Sequence, residues 1–199
     1  MTNSSRFGAI LLAGGRASRM GGIDKPGLLV DGVSMRDRAI AAVASVEASP
    51  VIVVGPEPAS AVPFVPEVRW VREDPPFSGP AAAVVTALAA MGADAAEWTL
   101  LLACDLPRPD AAVAALADGL RGRDGACLSD ADGRMQWLTG VYRTAALAEA
   151  ASSLPAAAHD LPVRMLLADL EVAALPDLGA GARDVDTWED YEELTKEQP

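Results

Sequence analysis

Three short runs, FGAILL at Phe7–Leu12, VIVVG at Val51–Gly55 and WTLLLACD at Trp98–Asp105, are apolar almost throughout rather than at every second position. A strand with one face in water alternates apolar and polar residues. A strand that is apolar on both sides must be covered on both, as in the parallel sheets of α/β proteins. Between these runs lie helical patterns. Ser34 is placed to N-cap a segment reaching about Glu47, with Met35, Ala39, Ile40, Val43 and Val46 on one face. Gly79-Pro80 opens an alanine-rich helix to about Met91, and Asp110 to Leu120 reads as another. Val68 to Arg72, Gly125 to Leu128 and Trp137 to Tyr142 read as further strands, with Thr144 as the cap of a following helix. Glu57 to Pro66 and Leu154 to Ala158 are loop-like, and Lys196 to Pro199 reads as a frayed tail. The alternation continues to about Asp186, so the expected fold is α/β: one three-layer, Rossmann-like domain over residues 1–199 with a mostly parallel central sheet. At 199 residues and 51% hydrophobic content, the chain is long enough to bury one substantial core.

The net charge of -12 argues against nucleic acid as a partner, because that role needs a basic surface to neutralise phosphates. No apolar run approaches the roughly 20 residues that span a bilayer, so no membrane partner is expected. Arg6 and the following FGAILL superficially resemble a leader, but the run is brief and passes straight into Gly14, Gly15, Arg16 and Arg19. Cys104 and Cys127 lack metal-ligand or disulfide spacing, and the expected location is the cytoplasm. The sole histidine, His159, lies in a Pro/Ala-rich stretch and is expected at the surface, a poor basis for a nucleophile triad.

In a parallel α/β sheet, ligands gather outside the carboxyl ends of the strands. The loop after Leu12, then Gly55, Asp74, Gly79, Asp105 and Asp186 all follow apparent strands and could converge on that edge. The loop LLAGGRASRMGGIDKPGLL places glycines beside Arg16, Arg19 and Lys25 in an acidic chain. Glycines allow backbone N–H groups to approach phosphate oxygens, and the cations add charge-assisted bonds. The loop matches neither the P-loop ending nor the G-x-G-x-x-G spacing, so a purely structural turn stays open at this point. Asp105, at the mouth of an apolar strand, suits Mg2+ or caps the following turn. Asp186 either approaches that metal or N-caps the last helix, and Asp74 either meets a ligand's sugar or base or is a loop residue. Trp137 and Tyr142 read as packing residues, with Trp137 a candidate pocket lining.

Taken together, LAGGRASRMGGIDKPGLL, GPAAAVVTAL from Gly79, LLACDLP around Asp105, TGVYRTAAL from Thr139 and DVDTWEDYEEL from Asp184 resemble the molybdenum cofactor guanylyltransferases of the nucleotidyltransferase superfamily. The resemblance spans nearly the whole chain in order. It implies transfer of GMP from GTP to the terminal phosphate of molybdenum-molybdopterin, with Mg2+ as cofactor and molybdoenzyme maturation proteins as further partners. It also implies roles. Leu12, Ala13 and Gly14 would line the nucleotide, with Gly15 and Arg19 over its phosphates and Gly55, Asp74 and Gly79 completing the nucleotide site. Lys25 would contact the phosphates and stabilise the departing pyrophosphate, Arg19 would assist, and Asp105 would hold the metal with Asp186 as a second contact.

The chain departs from the family pattern in four places. Gly55 stands where Asn is common, Ala83 where a second glycine is common, Ala103 where proline precedes the Cys-Asp pair, and Gln136-Trp137 where His-Pro-like residues are usual. The phosphate and metal residues are retained. The departures leave open cytosine in place of guanine, another small phosphate ester as acceptor, or a non-catalytic protein that delivers cofactor or nucleotide. Arg134 and Arg143 are candidates for the anionic groups of the acceptor, or for surface ion pairs.

Overall fold

The computed structural model describes residues 6–15, 20–58, 68–120, 123–154, 160–177, 184–185 and 187–196. Strand β1 (Phe7–Leu12) lies in the middle of the sheet, flanked in parallel by β4 (Val51–Val54) and β6 (Trp98–Ala103). Strand β5 (Val68–Val71) extends the sheet beyond β4. On the other side come β8 (Met135–Arg143), β7 (Gly125–Ser129) and β9 (Val172–Pro176), giving the order β5-β4-β1-β6-β8-β7-β9. Strand β8 runs antiparallel to both β6 and β7, while the other four pairings are parallel. The sheet is therefore mixed but mostly parallel, as expected from the double-sided burial of its central strands.

That burial is visible residue by residue. Ala9, Leu11, Val51, Val53, Leu100 and Leu102 face one layer, formed with α1 (Met35–Ala44) and α3 (Pro109–Asp118). Ile10, Leu12, Ile52, Val54 and Leu101 face the other, with α2 (Pro80–Met91), α4 (Thr144–Ser153) and the short α5 (Val163–Leu166). Successive side chains on a strand point to opposite faces, so a continuous apolar run feeds both layers at once. Each fully buried Leu, Ile or Val there contributes about 1.5–3 kcal/mol of transfer free energy.

Of the local readings, one cap holds and others are corrected. The Ser34 hydroxyl accepts a hydrogen bond from the Asp37 N–H at 3.0 Å and caps α1, which ends at Ala44, earlier than the pattern suggested. Thr144 does not cap α4. It is the first residue of that helix, and its hydroxyl is buried against that of Thr99 at 2.8 Å, joining α4 to β6. The last helix, α6 (Trp188–Lys196), is capped by Thr187. Its hydroxyl accepts from the Asp190 N–H at 3.2 Å while Asp190 accepts from the Thr187 N–H at 2.7 Å, a reciprocal capping box. Lys196 is thus helical rather than part of a tail. Sequence reasoning missed a hairpin of β2 (Leu29–Val30) and β3 (Val33–Ser34), although Asp31-Gly32 between apolar pairs is a strong turn signal. Both turn residues have left-handed φ, 54° and 77°. Val30 and Met35 pack with Val185 and with Tyr191 of α6, a small satellite core against the main body. Among the described residues, no helix is long and apolar enough to cross a membrane.

Candidate active site

The ends of β1, β4, β5 and β6 open onto a cavity of about 640 Å³ that adjoins a smaller one of about 270 Å³. Both are lined by Leu12, Gly14, Gly15 and Asp105, so the glycine loop and the end of β6 form their common wall. The ladder sets these positions. The Ala13 N–H donates to Val54 O at 2.8 Å and the Cys104 N–H to Leu12 O at 2.9 Å, each extending a strand pairing by one step. Gly14 and Asp105 are the first residues beyond those bonds.

Across the mouth, Lys25 Nζ lies 2.7 Å from Asp105 Oδ2, joining residues 80 positions apart. Lys25 begins a single 3₁₀ turn, Lys25–Gly27, with Pro26 in its first positions. Buried Arg36 of α1 reaches Asp24 Oδ2 at 3.5 Å, tying this turn to the helix behind it. The side chains of Lys25 and Asp105 are 13% and 24% exposed, so the pair is shielded without being sealed. Asp105 Oδ1 is buried and has no hydrogen-bond partner among the described residues. A buried carboxylate oxygen without a donor carries a desolvation cost that a cation would relieve. The donor set fits Mg2+, which accepts one or two carboxylates and completes its shell with phosphate oxygens and water. No cluster of three potential ligands occurs among the described residues, so a metal here would depend on such outside oxygens.

The remaining expected residues fall into three groups. Leu12, Ala13, Gly14, Gly15 and Gly55 line the larger cavity, and Gly79 lines the smaller. At Gly55 a Cβ would sit 2.8 Å from the backbone C and O of Ala13, with φ at 154°, so only glycine fits. It can offer a ligand backbone alone. Gly79 has φ 94° and is the N-cap of α2, and a Cβ there would stand 3.1 Å from Asp160 Cα. Arg16, Arg19, His159 and Asp186 lie outside the described residues. Next to the last of these, the Val185 N–H donates to the Asp105 carbonyl at 3.2 Å.

Asp74 does not line either cavity; its neighbour Glu73 lines both, together with Phe77. Glu73 Oε1 accepts the Phe77 N–H at 3.0 Å, which folds the segment after β5 and holds the Glu73 carboxylate on the cavity side. Reasoning from strand ends pointed to this loop, at Asp74. Arg143 is paired in register with Trp98 at the amino end of β6, the opposite edge of the sheet, where it contacts Glu97 at 3.2 Å and stacks on Trp98. It does not reach the cavity. Arg134 lies on the correct edge, exposed in the turn between β7 and β8, with its N–H on Asp130 Oδ1 at 2.8 Å. Trp137 packs in the core and its carbonyl accepts from the Tyr142 hydroxyl at 2.7 Å. Burial pushes the Cys104 thiol well up, assisted by the Asp105 charge, and raises Cys127 to about 11, so neither is a nucleophile at neutral pH.

Residues 9–174 match the MobA-like NTP transferase domain. The chain belongs to that family. It is 34% identical over 149 residues to a probable molybdenum cofactor guanylyltransferase of Opitutus terrae, covering 74% of this chain and 72% of the relative. It is 38% identical over 105 residues to a protein of the same description from Synechococcus elongatus, covering 51% and 52%. The solved structure of Rv0371c from Mycobacterium tuberculosis shares the fold with a TM-score of 0.72 at 21% identity, over 98% of this chain and 100% of that one. A structure of the same mycobacterial protein is described as a complex with manganese, with a TM-score of 0.67 at 17% identity over 97% and 100%. This MobA-like chain is thus a nucleotidyltransferase by family, built on the α/β fold its apolar runs imply.

Proposed function

We propose that this chain is a single nucleotidyltransferase domain that transfers GMP from GTP to the terminal phosphate of molybdenum-molybdopterin, forming the guanine dinucleotide cofactor. The observation that carries the reading is the Lys25–Asp105 pair at the glycine-lined cavity, with the second oxygen of Asp105 buried and without a partner among the described residues. The names of the Opitutus and Synechococcus relatives support the choice of GTP and molybdopterin, and the manganese complex of the mycobacterial relative supports a divalent metal.

In this reading the acceptor phosphate attacks the α-phosphorus of GTP, a new P–O–P linkage forms, and the bond to the bridging oxygen breaks with loss of pyrophosphate. The attacking oxygen is already anionic, so no general base is required. The chain instead holds two polyanions in line and neutralises their charge. Gly14 and Gly15 offer backbone at the phosphates, with Leu12, Ala13, Gly55 and Gly79 along the nucleotide and Arg19 over the phosphates. Lys25 contacts the phosphates and takes up charge on the departing pyrophosphate. Asp105, with Asp186 as second ligand, would hold Mg2+, which when bound would supply charge neutralisation and orientation at the phosphates. Before substrate arrives, Lys25 and Asp105 compensate each other; with substrate bound, Lys25 would turn to the triphosphate and Asp105 would hold the metal.

Calorimetric titration of the purified protein with GTP, CTP, ATP and UTP in Mg2+ tests the reading. Tight Mg-dependent binding of GTP is expected, followed by pyrophosphate release on addition of molybdopterin. Preference for CTP, or nucleotide binding with no pyrophosphate release, overturns it.

A further inference from the structure

Glu73 is the one carboxylate shared by both cavities that the chemistry above leaves without a task. The strand order β5-β4-β1-β6 sets the ends carrying Glu73 and Asp105 three strands apart. Adjacent strands lie about 4.8 Å apart, so the two strand ends are separated by roughly 14 Å. That span is comparable with the reach of a nucleotide from its α-phosphate to the far edge of its base. Between them, Gly14, Gly15 and Gly55 provide a floor of backbone without side chains. The cavity therefore has a phosphate end, at Lys25 and Asp105, and a far end whose groups are Arg72, Glu73 and Phe77.

The chemistry of the far end is selective. Glu73 is held by the Phe77 N–H on Oε1 at 3.0 Å. Phe77 has a left-handed φ of 67°, uncommon for a bulky residue and frequent at ligand-binding turns. Phe77 is 42% exposed and lines the cavity, with the Arg72 guanidinium 5.5 Å from its ring centroid. A carboxylate only accepts hydrogen bonds. Guanine alone among the four bases presents two adjacent N–H donors, N1–H and the N2 amino group. Cytosine and adenine place a ring-nitrogen lone pair beside their amino group, and uracil flanks its N–H with carbonyl oxygens. An acceptor fixed at this position matches guanine and meets a lone pair on each of the others.

We infer that Glu73 is the residue that selects guanine, accepting from N1–H and N2, with Phe77 fixing its carboxylate and offering a flat surface beside the base. The inference rests on the guanylyltransferase reading and deepens it. Calorimetry of wild type, Glu73→Gln and Glu73→Ala with GTP, ITP, CTP and inorganic tripolyphosphate, all with Mg2+, separates the two. Wild type is expected to bind GTP about 10- to 100-fold more tightly than ITP, which lacks the N2 amino group, or CTP. Both variants should bring these ratios towards unity while leaving tripolyphosphate affinity unchanged. Glu73→Gln keeps an oxygen for the Phe77 N–H, so its effect reports on the base rather than on the turn. Retention of the wild-type GTP preference in both variants, or an equal loss of tripolyphosphate, overturns the role of Glu73. A wild type that does not prefer GTP to CTP overturns the guanylyltransferase reading itself, and the inference with it.

Discussion

Strand β6 carries a cation–carboxylate pair at each end, and the two pairs are built differently. At its carboxyl end Lys25 and Asp105 meet at 2.7 Å, with side chains 13% and 24% exposed and one oxygen of Asp105 buried without a donor among the described residues. At its amino end Arg143 and Glu97 meet at 3.2 Å with side chains 42% and 60% exposed, and the guanidinium stacks on Trp98 at 4.5 Å from the ring centroid. The amino-end pair satisfies itself in solvent, where such pairs add little. The carboxyl-end pair leaves a buried acceptor over beside a glycine-lined cavity. Residue type is nearly the same at both ends; the difference comes from which edge of a parallel sheet each occupies, since loops at the carboxyl edge converge and leave a crevice.

Substitutions can break or sharpen this contrast. The largest effect is expected at Asp105→Ala, which should reduce turnover by about 10³-fold with a thermal midpoint close to wild type, measured as pyrophosphate release across a Mg2+ titration. An unchanged metal dependence would remove Asp105 from the metal site. Lys25→Ala should cost about 10²-fold in turnover, again with the fold intact by circular dichroism. At Gly55→Ala the expected loss is of stability, about 1–3 kcal/mol in urea unfolding, because the new methyl collides with the Ala13 backbone. Arg143→Ala should lower stability by about 1 kcal/mol or less and leave turnover unchanged; a slower enzyme would erase the distinction between the two edges. The smallest signal is in the thiols. Cys104 and Cys127 should resist alkylation at neutral pH until the protein unfolds, as followed by mass spectrometry, since burial raises both pKa values.

The sequence alone determined which segments are central strands and that both faces of the sheet are covered, because hydrophobic periodicity reports burial directly. It also determined a local feature, the Ser34 cap, and its charge and glycine pattern singled out the loop that carries Lys25. The short pieces β2, β3, α5 and β9 escaped it, being stabilised by the neighbours they pair with or pack against. Tertiary structure alone decided the rest. Strand direction is invisible to periodicity, so the antiparallel run of β8 and the consequent removal of Arg143 to the far edge appear only when the strands pair. That Glu73 lines both cavities and Asp74 neither depends on a shift of one residue, which alters where a side chain points without altering composition. The meeting of Lys25 with Asp105 spans 80 positions, a proximity that chain order does not encode and that the packing of β1 between β4 and β6 provides.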